Sequence, residues 1–261
     1  FDDSDITHVE GSVDPIRDIE IINLELIMAD LQTVENRLGK IERKAMTNKD
    51  KEAMAEVELL RRVKEALEGE KPAQSVEMDK EERLQMKNYN LLTMKPMIYI
   101  ANMSEEEIAA PQDNAYFKLV KEYAAAHNSE VVPICAKVEE ELSSLSKEEK
   151  DAFMQEMEMG ESGLDQVIKT AYRILDLCTF LTAGEDECRA WTFRKGMSAP
   201  QCAGVIHTDF QKGFIRAETY RFEDIDELEN EHAIKEAGRL RLEGKDYIVQ
   251  DGDVLHFRFN V

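Results

Sequence analysis

Two short stretches carry residue types whose spacing could recognise a ligand: Asn102-Met103-Ser104-Glu105 and, about thirty residues on, Pro133-Ile134-Cys135-Ala136-Lys137. A side-chain amide both donates and accepts, so Asn102 can brace a loop or meet a base edge. A carboxylate three residues later can accept two N–H donors of a purine. The first stretch follows, and the second ends, a short apolar run, Pro96 to Ala101 and Val131 to Cys135, of the length expected for a buried parallel strand. In open α/β sheets ligands bind beyond the carboxyl ends of the strands, so two neighbouring strand ends could form a base pocket. Asn-x-x-Glu alone equally describes a polar turn leading into a helix. It is the second strand end that gives the pattern weight.

Other reactive residues argue for less. His8 titrates near neutrality but reads as a turn histidine. His207-Thr208-Asp209 resembles part of a hydrolytic triad only in composition, because no Gly-x-Ser-x-Gly nucleophile elbow accompanies it. Cys135, Cys178, Cys188 and Cys202 lie far apart, without Cys-x-x-Cys pairing, and read as free thiols. No catalytic residue and no metal ligand set is expected. The phosphate-cradling pattern Gly-x4-Gly-Lys-[Ser/Thr] is absent: Gly39-Lys40 is followed by Ile41 and Gly244-Lys245 by Asp246, and no Asp-x-x-Gly occurs. Phosphoryl transfer depends on such positioning, so the chain as written is expected not to hydrolyse a nucleotide.

The elements that would position these residues fall into three parts. Ile27, Leu31, Val34, Leu38, Ile41 and Ala45 follow a heptad seam and predict one long helix. A break at Met46-Thr47-Asn48 follows, where Thr47 with Asp50 can cap a second helix carrying Ala53, Val57, Leu60, Val63 and Leu67. Together they predict an antiparallel helical hairpin, and a third helix, about Lys80 to Leu92, returns the chain. Next comes an α/β series: the two apolar strands, a helix from Asn114 to Ala126, and helices from Lys147 and Leu164, the former opened by a Ser146/Glu149 capping box. Beyond about Cys178 short alternating runs separated by turns, with one helix near Ala199 to His207, predict a small mixed sheet of β-grasp-like plan.

Composition narrows the function classes. The 261 residues are 43% hydrophobic, enough for a sizeable core, and 55 acidic against 33 basic residues leave a formal charge of −22. Such a surface repels DNA and anionic lipid, so any nucleic-acid contact must be local. No apolar run approaches a membrane span and no signal segment is present, so a cytoplasmic protein is expected. From Phe180 onward eleven basic residues face sixteen acidic ones, a net −5, so this part is relatively less acidic. Arg194 and Lys195 beside Trp191 and Phe193 could form a phosphate-and-stacking patch, with Lys212 and Arg216 as further cations.

The segments Phe1 to Asp18, Asn102 to Glu105, Cys135 to Leu142, Arg194-Lys195-Gly196 and Ile206 to Phe210, in this order along essentially the whole chain, resemble the YchF (Obg-like ATPase) family of P-loop nucleotide-binding proteins. The resemblance implies a Ras-like α/β domain with an inserted antiparallel coiled coil and a C-terminal TGS domain of β-grasp type. Here these would span residues 1–22 with 88–178, 23–87 and 179–261. It also implies that the Ras-like part is incomplete, its phosphate-loop segment lying upstream of Phe1. Asn102 would brace the base-recognition loop, Met103 pack on the base and present its backbone, and Glu105 replace the Asp that reads guanine in ordinary GTPases, favouring ATP over GTP. Cys135, Ala136 and Lys137 would give backbone contacts to the base, and Phe1 would lie against it. ATP or GTP with Mg²⁺, and a ribosome or its RNA, are the ligands and partners implied for the intact protein, acting as a nucleotide switch. Arg194, Lys195, Lys212 and Arg216 become candidate RNA contacts, and the hairpin cations Arg37, Lys40, Arg43, Lys44, Arg61, Arg62 and Lys64 either ribosome contacts or a solvated face. The alternative is a non-catalytic RNA- or protein-binding module built on the hairpin and the C-terminal domain.

Overall fold

A computed structural model describes residues 12–48, with the backbone alone at 46–48, and 50–157, 159–184 and 187–260. Phe1 and His8 therefore lie outside the described residues. Those described fall into two compact units that divide between Val167 and Ile168, somewhat before the boundary expected at 178.

The first unit begins with α1 (Pro15–Asn48) and α2 (Lys51–Glu68). The heptad seam is buried: Ile27, Val34, Leu38, Ile41 and Ala45 pack with Ala53, Val57, Leu60, Val63 and Leu67, with Leu31 alongside. Ion pairs Arg37–Glu56 at 2.6 Å, Arg61–Glu42 at 2.7 Å and Lys64–Glu35 at 2.8 Å link the helices, and the register falls from Lys44–Asp50 beside the connection to Glu35–Lys64 far from it, as antiparallel helices require. With Arg62 on Glu82 and Lys44 on Asp50, most of the hairpin's basic residues are matched by its own acids. The cap of α2 is Asp50, not Thr47: its carboxylate accepts from the amides of Glu52 and Ala53. The third helix is shorter than expected. α3 (Lys80–Met86) stops where Asn90 takes a left-handed conformation (φ 50°), and the buried carboxylate of Asp30 on α1 then captures the next turn by accepting from the amides of Leu92 and Thr93.

That turn feeds β1 (Ile98–Asn102), after which α4 (Glu105–Ile108) and α5 (Ala115–Ala126) cross over to β2 (Glu130–Ile134). Tight turns cannot join parallel strands, and the two helices supply the crossover. β1 and β2 are parallel from Ile98↔Glu130 to Asn102↔Ile134, so both strands end at the same level. α6 (Ala136–Ser143) leaves directly from β2, followed by α7 (Lys147–Glu156), capped by Ser146 and Glu149 as expected, and α8 (Gly163–Ile174), inside which the two units divide. Phe117, Ile108, Val138, Leu142, Met103 and Cys135 form the core beneath the strand ends.

The second unit holds β3 (Leu177–Ala183), β4 (Cys188–Arg194), α9 (Ala199–Ile206), α10 (Thr208–Lys212), β5 (Phe214–Arg221), α11 (Phe222–Leu228), α12 (Glu231–Glu236), β6 (Arg241–Glu243) and β7 (Asp253–Phe259). Its sheet has the order β4-β3-β7-β5-β6, with β3 and β7 parallel and the other pairs antiparallel. Phe180 is fully buried at its centre, ringed by Trp191, Phe193 and Phe257. Tyr220, Val254 and Ile234 form a second cluster with α11 and α12, two helices the sequence pattern did not reveal.

Candidate functional site

β1 ends on Asn102 opposite Ile134, and the amide of Met103 donates to the Ile134 carbonyl at 2.7 Å, so the two strand-end loops leave side by side. Asn102 Oδ1 accepts from the backbone amide of Ala136 at 3.1 Å. Ala136 opens α6, where backbone donors lack helical partners, and Asn102 satisfies one of them across the gap between loops. Glu105 and Lys137, one from each loop, form an ion pair. The Lys137 ammonium is held above its ordinary range by that carboxylate.

A second network lies one turn further along. Glu107 accepts from the Ser104 amide and hydroxyl and from Asn114 Nδ2 at 2.6 Å, and Asn114 Oδ1 caps α5 through the Phe117 amide. Burial, the largest single influence on Glu107, pushes its carboxyl up, but the bonds from Ser104 and Asn114 together hold it below the ordinary range. Neither Glu107 nor Asn114 was singled out in the sequence. The Ser104-x-x-Glu107 spacing is a capping-box signal that marks Glu107.

A cavity of about 1040 Å³ opens over these loops, and Asn102, Met103, Glu105, Cys135, Ala136 and Lys137 all line it. Six of the seven residues expected to meet a base thus share one cavity, the seventh being Phe1. Their expected roles change in part. Met103 is 4% exposed and packs into the core, and its amide is spent on Ile134, so it does not present a free side chain to lie against a ring. Cys135 is equally buried, and the Ala136 amide is engaged by Asn102. The charged side chains that line the cavity are those of Glu105, Glu106, Glu107 and Lys137. Three acids against one base make the cavity unwelcoming to phosphate and suited to a neutral, donor-bearing group.

The cations of the second unit are exposed but not clustered together. Arg194 pairs across from Leu177, whereas Arg216 lies opposite Arg258 near the other end of β7, with β3 and β7 intervening. At a rise of about 3.3 Å per residue this separates them by about 25 Å along the strands, besides three strand spacings across. Lys195 stays with Arg194, and Lys212 lies at the end of α10 just before β5. The expected stacking patch does not form around Arg194: Phe193 is 2% exposed, and the cation over the Trp191 ring is Arg189, at 4.4 Å. Strand alternation explains this, since Arg189, Trp191 and Phe193 share one face and Arg194 takes the other. His207 caps α10, accepting from the Asp209 amide through Nδ1. Among the described residues no group of three or more His, Cys, Asp and Glu is placed to hold a metal ion. No described helix is long and apolar enough to cross a membrane.

The chain is similar to known proteins along its whole length. The family model YchF-GTPase_C, described as "Protein of unknown function (DUF933)", matches residues 177–260. Across all 261 residues the chain is 55% identical to the "Ribosome-binding ATPase YchF" of Bacillus subtilis, of which it covers 71%, and 46% identical to that of Escherichia coli O157:H7, again covering 71%. It is 42% identical to "Obg-like ATPase 1" of Homo sapiens, covering 66% of that protein. The solved structure of the Schizosaccharomyces pombe YchF GTPase superposes with a TM-score of 0.82 at 34% identity, over 98% of this chain and 69% of that one. With more than half of its residues shared with one such protein, the chain belongs to the YchF/Obg-like ATPase family.

Proposed function

We propose that the cavity at the ends of β1 and β2 holds the purine base of a nucleotide, adenine in preference to guanine, and that the chain serves a ribosome-associated, ATP-binding switch in the cytoplasm. The observation that carries the reading is the cross-loop bond from the Ala136 amide to Asn102, which locks two strand-end loops into one wall. The names "Ribosome-binding ATPase" and "Obg-like ATPase" of the relatives support nucleotide and ribosome as ligand and partner. In this reading residues 1–22 with 88–178 are the base-binding part of a Ras-like domain, and the hairpin, 23–87, is its inserted coiled coil. Residues 179–261 are a β-grasp TGS domain, the mixed five-stranded sheet and its crossing helix α9 supporting that plan. Arg194, Lys195, Lys212 and Arg216 then serve RNA as two separate pairs.

The test is equilibrium competition between ATP and GTP on the protein and two variants. Asn102→Ala breaks the loop brace and leaves the Ala136 amide without its partner, a loss of about 1–2 kcal/mol, so both nucleotides should weaken roughly tenfold. Glu105→Asp, which shortens the carboxylate toward the guanine-reading geometry, should move the ratio toward GTP. Unaltered affinities in the first variant, with an unchanged ratio in the second, would remove the site.

A further inference from the structure

Base selection is not left to Glu105 alone, because its carboxylate is already engaged. Lys137 Nζ sits on Glu105 Oε1, joining the second loop to the first over the same cavity. We infer that Lys137 is the residue that discriminates between purines, acting by converting Glu105 from a two-oxygen acceptor into half of a donor–acceptor pair. This rests on the cavity being a base site.

The reasoning is a count of donors and acceptors. The Watson–Crick edge of adenine offers one acceptor, N1, beside one donor group, the 6-amino. An ammonium next to a carboxylate oxygen matches both: Lys137 donates to N1 while Glu105 Oε2 accepts from the amino group. Guanine offers O6 as acceptor and then two donors, N1–H and the 2-amino. In the order that matches adenine the pair sets the Glu105 oxygen against O6 and the ammonium against N1–H; only a base turned so that the two exchange places satisfies both, still leaving the 2-amino without a partner, and a polar group left unpaired on binding is penalised. Adenine is therefore preferred and guanine tolerated. Remove the ammonium and the balance reverses. Both oxygens of Glu105 become free to accept from guanine N1–H and the 2-amino together, whereas adenine keeps a single bond and an unpaired N1.

No other cation competes for this role, since Lys137 is the sole basic side chain among the described residues that line the cavity, against Glu105, Glu106 and Glu107. Its position is fixed by backbone: Ala136, the residue before it, is tethered to Asn102. The pair is partly exposed, 69% at Lys137 and 43% at Glu105, which sets the scale. An exposed pair is weak, so the ATP/GTP ratio should move by only about three- to fivefold.

The experiment is competition binding of ATP and GTP to the protein, to Lys137→Met and to Lys137→Arg, at low and high salt. Methionine keeps the length and removes the charge, and should shift the ratio toward GTP by the factor above. Arginine keeps the donor and should hold the ratio within about twofold. Raising salt, which screens an exposed pair, should move the unaltered protein toward the methionine variant. A merely structural lysine would weaken both nucleotides alike and leave the ratio where it was, and that result overturns the inference while sparing the base site. Absence of saturable binding of either nucleotide to the unaltered protein removes the site, and the inference with it.

Discussion

Asp30 offers the sharpest test of how the hairpin is joined to the strand that carries Asn102. Its carboxylate is 2% exposed and accepts three bonds of 2.7 Å, from the Leu92 amide, the Thr93 amide and the Thr93 hydroxyl, while that hydroxyl accepts in turn from Ala73 at 2.8 Å. Asp30→Ala removes all three and leaves two amides facing the void in the turn just ahead of β1. Bonds to a charged acceptor are worth about 1.5–3 kcal/mol each, which alone would sum to about 5–9. Two effects reduce this: the carboxylate's desolvation is recovered on truncation, and water can enter to meet one donor. A net loss of about 4 kcal/mol follows, or a fall in melting temperature of the first unit of about 10 °C at the 2–4 °C per kcal/mol usual for this size. Asp30→Asn retains one oxygen but turns an amino group toward donors, and should cost about half as much. Hydrogen exchange followed on peptides covering 90–97 is the assay, since global signals would mix the two units. Loss of protection at Leu92 and Thr93 together with destabilised hairpin peptides is expected. Asp30→Ala within about 1 kcal/mol of the parent, or unchanged protection there, would refute the anchoring argument.

Gly213 closes the second unit, donating to Asp209 and accepting from the Asn260 amide, and a Cβ there would lie 2.0 Å from the Asn260 carbonyl oxygen. Gly213→Ala should destabilise this unit by about 3 kcal/mol in urea unfolding, and a cost below about 1 kcal/mol would contradict the packing. Burial, and then the bond to Glu56, pushes the Tyr89 phenol from 10.0 to about 12. The folded state keeps this proton after the unfolded chain has lost it, so the stabilisation is intact below pH 10.0 and disappears as pH rises toward about 12. Tyr89→Phe should flatten that part of the stability profile, and an identical profile in both proteins would count against the buried network. Burial also pushes the Cys202 thiol to about 12, whereas Cys188 is exposed, so an aromatic disulfide reagent at pH 8 should label Cys188 promptly and Cys202 only on unfolding.

What the sequence disclosed, and what it concealed, follow from the range of the interactions involved. The hairpin was legible because the seam from Ile27 to Ala45 and its partner from Ala53 to Leu67 repeat every three or four residues, a period set by the helix itself. Both strands and their ends were legible because short apolar runs bounded by polar turns have few other uses. The end of α3 was not. It depends on Asp30, some sixty residues away, whose carboxylate stabilises a separate turn at Leu92 where local pattern favoured continued helix. β6 escaped because three residues, Arg241 to Glu243, are too few to show alternation, and α11 and α12 because short helices capped by Asp224 and Asn230 read as acidic turns. The notion of an aromatic patch at Arg194 failed for a related reason: neighbours in sequence were treated as neighbours in space, although adjacent strand residues point to opposite faces.

The cavity itself was legible only as a pair of places. Asn102 and Ala136 could be proposed as neighbours because each follows a strand, yet that places loops and not atoms. Whether two parallel strands end level or staggered depends on register, and here Asn102 stands opposite Ile134, so a single residue of slip would have carried the Asn102 side chain to the other face and broken the bond to Ala136. The same register brings Glu105 within reach of Lys137, residues whose pairing no spacing rule connects. On the proposed reading of the cavity as a base site, it also bears on where a nucleotide's charge would go. With Glu105, Glu106 and Glu107 lining the cavity and Lys137 already committed to one of them, a base held against Asn102 would have its phosphates driven away from these loops, so recognition of the ring and recognition of the tail would be separate tasks for separate elements.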